Sequence, residues 1–227
     1  MNREVEGYIM LTTLREQLVR IPAGGITMEG NLVIPPDART AAIFAHGSGS
    51  SRHSPRNRFV ASVLQEAGIG TLLFDLLTRE EDTVYENRFN IELLTDRLKA
   101  ATRWFREQPQ TSGFTIGYFG ASTGTASALR AAADLGPAIG AVVSRGGRPD
   151  MAEQALLKVK APVLLIVGGS DPVVLDLNRR AYGMIRADKH LEIIPHATHL
   201  FEEPGALEEV SRLAADWFTR HLTPAAR

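Results

Sequence analysis

Three residues far apart in the chain have types and surroundings suited to covalent catalysis: Ser122, Asp171 and His199. Ser122 stands in Gly120-Ala121-Ser122-Thr123-Gly124, a G-x-S-x-G pattern between an apolar strand-like run and an Ala/Leu-rich helical one. A serine on so sharp a strand-to-helix turn presents its hydroxyl outward, and the helix aims its N-terminal N–H groups at the same place. A serine hydroxyl is a weak nucleophile. It needs a base within hydrogen-bonding reach, itself oriented by an acid. In "VLLIVGGSDPVV" Asp171 lies just past a strand end, and in "LEIIPHATHLFEEPG" His199 lies in the loop after the last strand. Serine, acid, histidine is the chain order that accompanies an elbow of this kind.

Each assignment has a rival. Ser122 can be read as the cap of the helix over 123–134, a common role for serine. Asp176 lies near the start of the helix after Asp171 and reads as a helix-start charge. His196 follows the last strand immediately, whereas His199 sits deeper in its loop. A reaction that builds negative charge on a carbonyl oxygen also needs preorganised donors. The N–H of Thr123, directly after the serine, is one. The loop "HGSGSS" (46–51) supplies the other, with Ser48 as the expected donor and a plain Gly/Ser turn as the alternative. His46 reads as a brace for that loop. "VVSRGGRPD" (142–150) leaves a strand at the same edge and carries Arg145 and Arg148. Arg145 at a pocket rim would bind an anionic substrate group in bidentate fashion; the competing reading ties both arginines to solvent or local acids.

These residues require elements to carry them. "EQLVRIP", "AGGITM" and "GNLVIPP" form an expected opening hairpin. Strands are expected at 41–47, 70–75, 115–119, 139–144, 161–169 and 190–195. Helices are expected at 55–68, 88–108, 123–134, 150–158, 175–187 and 206–222. Within 88–108, Ile91, Leu94, Leu98, Ala101 and Phe105 recur at helical spacing. Strands alternating with helices imply a mostly parallel sheet covered on both faces, with ligands at the carboxyl ends of the strands. The acidic stretch 76–89 reads as a short flap or a surface connection. No linker or repeat divides the chain, so one domain over 1–227 is expected.

Composition narrows the function. The formal net charge is −1, so no nucleic-acid partner is expected. No apolar run is long enough to span a bilayer, and "MNREVEGYIMLTTLREQLV" lacks a signal-peptide core, so no membrane partner and a cytoplasmic location are expected. The chain has no cysteine, which excludes disulfides and thiolate nucleophiles. Arg52 stands where a dinucleotide fingerprint would place its third glycine, and no P-loop occurs. His196, His199, Glu202 and Glu203 do not form a metal-ligand pattern, so neither metal nor cofactor is expected.

"AHGSGSS", "GYFGASTG", "VGGSDPVV" and "HATHLFEEPG" together resemble the oxyanion loop, elbow, acid turn and histidine loop of the α/β-hydrolase superfamily. The chain is most similar to its small, lidless branch related to dienelactone hydrolases, over nearly its whole length. The resemblance implies an eight-stranded sheet with an antiparallel second strand, no large lid domain, and Ser122, Asp171 and His199 as triad. Dienelactone hydrolases proper use a cysteine nucleophile. A serine in its place resembles the carboxylesterases of the branch, so lactone specificity is not carried over. The expected activity is hydrolysis of small carboxylic esters through an acyl-enzyme on Ser122. An amidase or peptidase with the same triad, and a non-catalytic binding module on this scaffold, are the alternatives.

Overall fold

The computed structural model describes residues 14–223. The stretch read as lacking a signal segment falls largely on residues 1–13, outside the described residues. Eight strands form one sheet: β1 (Glu16–Ala23), β2 (Ile26–Val33), β3 (Thr40–Ala45), β4 (Gly70–Phe74), β5 (Thr115–Ala121), β6 (Ile139–Arg145), β7 (Val163–Gly168) and β8 (Lys189–Ile194). Their spatial order is β1-β2-β4-β3-β5-β6-β7-β8. β2 is antiparallel to both β1 and β4, and every other pairing is parallel. This is the α/β-hydrolase sheet that the sequence leads one to expect. The order reverses between β3 and β5, whose carboxyl ends carry the Gly/Ser loop and Ser122.

The described residues form six α-helices, α1 (Pro55–Glu66), α2 (Arg79–Asp82), α3 (Ile91–Glu107), α4 (Gly124–Leu135), α5 (Pro172–Met184) and α6 (Ala206–His221), of which the four-residue α2 buries no side chain. One face buries Ile43, Leu72, Tyr118 and Val142 against Leu98 and Phe105 of α3 and Leu129 of α4. The other buries Phe44, Phe119, Val143 and Ile166 against Val60 and Leu64 of α1 and Val210 and Phe218 of α6. Each strand contributes alternate residues to the two faces, the period of two that burial on both sides demands. Tyr118, fully buried, keeps its hydroxyl satisfied at 2.6 Å from Thr102 Oγ1 on α3.

Two expectations change in detail. The stretch 76–89, expected as a short flap or a surface connection, carries regular structure, and its Asp82 and Arg88 line a small cleft together with Ser48 and Gly49. Thr78 and Glu81 form a reciprocal capping box on α2, and Tyr85–Phe89 makes a 3-10 turn before Asn90 caps α3. Arg88 clamps Asp82 through Nε and Nη2 at 2.8 and 2.9 Å, which fixes this turn to α2. The segment expected to be helical over 150–158 is a 3-10 stretch, Pro149–Leu157, broken at Glu153, whose φ is 51°. Among the described residues, no helix is long and apolar enough to cross a membrane.

Candidate active site

The elbow is built by backbone strain and by missing side chains. Ser122 has φ 50°, a left-handed conformation that costs a non-glycine residue about 1–2 kcal/mol. Three backbone bonds hold it there. Its N–H donates to Arg145 O at 3.1 Å, and its carbonyl accepts from Thr125 N–H at 3.1 Å and Arg148 N–H at 3.0 Å. A left-handed residue is retained only where the surroundings fix it in this way. The two motif glycines supply room rather than conformational freedom. A Cβ at Gly120 would lie 2.6 Å from Thr125 Cα, and one at Gly124 would lie 2.1 Å from Ala45 O. The first lets α4 pack close to β5, and the second lets α4 abut the end of β3.

Ser122 is not the helix cap. Thr123 occupies that position, and no side chain caps α4. Ser122 is half-buried, with its hydroxyl left for another purpose. Gly47 lies against it, since a Cβ there would be 3.0 Å from Ser122 Cβ and 3.7 Å from its Oγ.

Asp171 has two tasks. It is the N-cap of α5, accepting Val174 N–H on Oδ1 at 3.3 Å. Its other oxygen, Oδ2, lies 2.8 Å from His199 Nδ1. The helix expected over 175–187 thus begins at Pro172, immediately after the acid, because proline is favoured at a helix's first position. Asp176 instead pairs along α5 with exposed Arg180 at 2.7 Å. The Asp171 carboxylate is 15 % exposed and the His199 ring 37 %, so the pair is sheltered on one side and open on the other. The histidine loop is anchored from beneath by Phe201, 1 % exposed with φ 55°. A Cβ at Gly146, next to Arg145, would lie 3.5 Å from His199 Cε1, so the imidazole rests over the end of β6. His196, also left-handed at φ 63°, is exposed.

The Gly/Ser loop is positioned by a histidine and an arginine. His46 is buried and accepts Leu76 N–H on Nε2 at 3.0 Å, while Nδ1 faces Gly47 O at 3.0 Å. An acceptor at Nε2 and a carbonyl at Nδ1 are satisfied together by the neutral Nδ1–H tautomer. Burial agrees, lowering the His46 pKa below its ordinary value against the smaller opposing pull of the Gly47 bond, Asp75 and Asp82. In the sequence Arg52 reads only as the interruption of a glycine pattern; in the fold it is a tie. Its N–H donates to Asp75 Oδ1 at 2.7 Å, Nε to Asn31 Oδ1 at 3.0 Å and Nη2 to Glu29 Oε2 at 2.6 Å, while Nη1 pairs with Asp75 Oδ2. The loop is thereby tied to β2 and to the residue after β4. An arginine seven residues past a strand end is no sequence signal for this; its partners lie on β2 and just past β4, distant in sequence.

One of the two expected donors is already engaged by a side chain. Ser48 N–H donates to Thr123 Oγ1 at 2.8 Å, joining the loop to the elbow. The Thr123 N–H has no backbone partner among the described residues. Arg145 is not at a rim: it is 8 % exposed, with Nη2 donating to Asn57 Oδ1 at 3.3 Å. Desolvation, with a smaller contribution from nearby Arg56, brings its pKa down to about 10, so it remains charged at neutral pH. Arg148 is tied to a local acid, clamping Asp150 at 2.9 and 2.8 Å. Among the described residues no group of three or more His, Cys, Asp or Glu is arranged to hold a metal. Cavity size does not mark the site. Clefts of 610 and 390 Å³ lie elsewhere, beside Met28 and Thr78 and beside Lys189 and Trp217. What places Ser122 and His199 in one neighbourhood is the end of β6: Arg145 O holds the Ser122 N–H, and Gly146 lies against the His199 ring.

Residues 38–222 match the model of the Dienelactone hydrolase family. The crystal structure of a dienelactone hydrolase from Anabaena variabilis is 53% identical in sequence with a TM-score of 0.90, covering 92% of this chain and 99% of that one. A Mycobacterium tuberculosis protein, provisionally named a phosphoribosyl transferase, is 56% identical over 209 residues, 92% of this chain and 47% of that protein. The chain thus spans about half the length of that curated relative. An α/β serine hydrolase without lid from Xanthomonas campestris, 22% identical with a TM-score of 0.74 over 93% of this chain and 97% of that one, shares the fold.

Proposed function

The chain belongs to the dienelactone hydrolase family of α/β hydrolases, and from that premise we propose that it is a serine hydrolase of small carboxylic esters. The observation that carries the reading is the Asp171 Oδ2 to His199 Nδ1 contact of 2.8 Å beside a serine held left-handed. Asp171 accepts the Nδ1 proton and leaves Nε2 as the basic nitrogen. As Ser122 Oγ attacks the carbonyl carbon, its proton passes to His199 Nε2, and the carbonyl π pair moves onto oxygen. Collapse of the tetrahedral adduct expels the alcohol, which takes the proton from His199 and leaves an acyl-serine. Water, deprotonated by the same nitrogen, then releases the acid and restores Ser122.

The oxyanion is held by the N–H groups of Thr123 and Ser48. In the free protein the Ser48 amide rests on the neutral Thr123 hydroxyl. A hydrogen bond to a charged oxygen is roughly twice as strong as one between neutral groups, so the developing oxyanion draws the amide from the hydroxyl. No cofactor enters the scheme. The transferase name belongs to a protein more than twice the length of the matched region, and the residues brought together here support hydrolysis.

Hydrolysis of 4-nitrophenyl acetate by the wild type and by Ser122→Ala tests the proposal. Loss of activity in a variant with an unchanged circular dichroism spectrum is expected. Equal rates in both proteins would overturn it. Labelling of Ser122 by a fluorophosphonate separates an activated nucleophile from a binding module that merely keeps the scaffold.

A further inference from the structure

Among the described residues β8 ends the sheet with no strand beyond it. Asp188 O and Ile194 O accept the N–H groups of Val163 and Gly169 at 2.9 and 2.8 Å, so even-numbered residues turn their backbone groups towards β7. Backbone groups alternate along a strand, and those of Lys189, Leu191 and Ile193 therefore point out of the edge. Proteins protect such an edge with proline, a bulge or a charge standing on it. β1, at the opposite edge, carries Pro22, whereas β8 has neither a proline nor a register shift. Its one lysine is turned away from the edge. Lys189 Nζ donates to Tyr182 O at 2.7 Å and to Ile185 O, at the C-terminal end of α5.

The side chains of this edge complement a second copy of themselves. A sheet continued across a two-fold axis keeps its faces, so each residue of β8 meets one of the same parity on the partner strand. Two antiparallel registers then pair five of the six residues of β8, one centred on Leu191 and one on Glu192. Centring on Glu192 sets that carboxylate against the partner's Glu192, and like charges directly opposite are destabilising. Centring on Leu191 sets His190 against the partner's Glu192, and Glu192 against the partner's His190. Leu191 then meets the partner's Leu191, and Lys189 meets the partner's Ile193. The outward-pointing groups of Lys189, Leu191 and Ile193 exchange N–H···O=C bonds in this register, while each His–Glu pair falls at the closer, non-bonded positions. Within one chain His190 Nε2 already lies 3.1 Å from Glu192 Oε2, so the two side chains share a face and only exchange partners. On the other face Leu191 and Ile193, packed against Val167, Val174 and Leu175, extend that apolar contact across the edge. The cleft of 390 Å³ between His190, Glu192 and the α6 residues Arg212 and Trp217 shows that α6 does not reach over this edge.

We propose that β8 is the interface for a second copy of this chain, the two strands pairing antiparallel about Leu191 and joining two eight-stranded sheets into one. The pairing is independent of the ester chemistry. Ser122 stands at the end of β5, separated from β8 by β6 and β7, so both copies keep their sites open. His199 lies on the loop that follows β8, which places the interface on the strand that carries the base.

Sedimentation equilibrium on the full chain tests the pairing. The wild type is expected at twice the chain mass of 24.7 kDa at micromolar concentration. Leu191→Pro removes an N–H that points away from β7, so the ladder to β7 survives and the cross-edge bond does not. His190→Glu sets glutamates opposite each other at both symmetry-related positions. Each variant should weaken the dimer by about tenfold or more, with an unchanged circular dichroism spectrum. The double variant His190→Glu with Glu192→His reverses both pairs and should restore the wild-type dissociation constant, a recovery that a folding defect cannot produce. A wild type of 24.7 kDa at every concentration overturns the proposal. So does a dimer indifferent to both single variants, which would join through another surface. A double variant as weak as His190→Glu alone overturns the register centred on Leu191. A monomer whose Leu191 amide is nonetheless protected from hydrogen exchange assigns the edge to another segment of the chain, and overturns the pairing as well.

Discussion

Asp171 offers a perturbation that separates catalysis from stability, because its two oxygens do different work. Oδ1 caps α5 through Val174 N–H, and Oδ2 holds His199 Nδ1. In Asp171→Asn the carbonyl oxygen must face Val174, since a side-chain amide there would set donor against donor. The NH2 group then faces His199. The imidazole has to accept on Nδ1 and carry its proton on Nε2, which leaves it unable to take the proton of Ser122. Inverting the tautomer of a serine-bound histidine costs about 10⁴-fold in kcat, near 5 kcal/mol of transition-state stabilisation. The cap, meanwhile, survives. Asp171→Ala loses both functions and should unfold about 0.5–2 kcal/mol more easily, the usual value of an N-cap. Urea unfolding followed by circular dichroism, with kcat/KM on a short nitrophenyl ester, measures the two effects separately. The expectation is two inactive variants of which only the alanine form is clearly destabilised. An asparagine variant within tenfold of wild-type activity would refute the tautomer argument. One as unstable as the alanine variant would refute the division of labour between the oxygens.

Other consequences follow from packing and titration. Gly124→Ala forces a methyl group against Ala45 O and His46 O, at 2.1 and 2.5 Å, and should cost roughly 1–3 kcal/mol or more in urea unfolding. A change under 0.5 kcal/mol would show that the β3–α4 contact yields easily. His46, neutral when folded, has its pKa lowered by burial, so the unfolded chain binds the proton first as pH falls. Its contribution to stability is fully present above its unfolded pKa of about 6.5 and is lost as pH drops towards the folded value. His46→Gln should therefore flatten the fall in stability between pH 7 and pH 5; an unchanged slope would assign that fall to other groups. The ordered turn over 85–89 is no lipase-type lid, and short acyl esters should turn over faster than long ones, which a nitrophenyl acetate-to-decanoate series would check.

What the sequence discloses here depends on how far a structural cause reaches along the chain. The elbow was legible because its cause is local: a strand, a left-handed serine and two glycines whose missing Cβ atoms admit α4, all within ten residues. The sheet was legible because burial on both faces writes continuous apolar runs into β3, β5, β6 and β7. The acid was legible as Asp171, but its capping role was not, since the helical pattern of the sequence is clear only from 175 onward while α5 begins at Pro172. The Arg52 network was illegible, because Glu29, Asn31 and Asp75 become its partners only when β2 pairs with β4. The same applies to Arg145. A guanidinium at a strand end reads equally well as a rim residue or as a solvated one. Only the fold, by setting α1 and the histidine loop around it, turns an ordinary surface residue into a buried charge without a counter-ion.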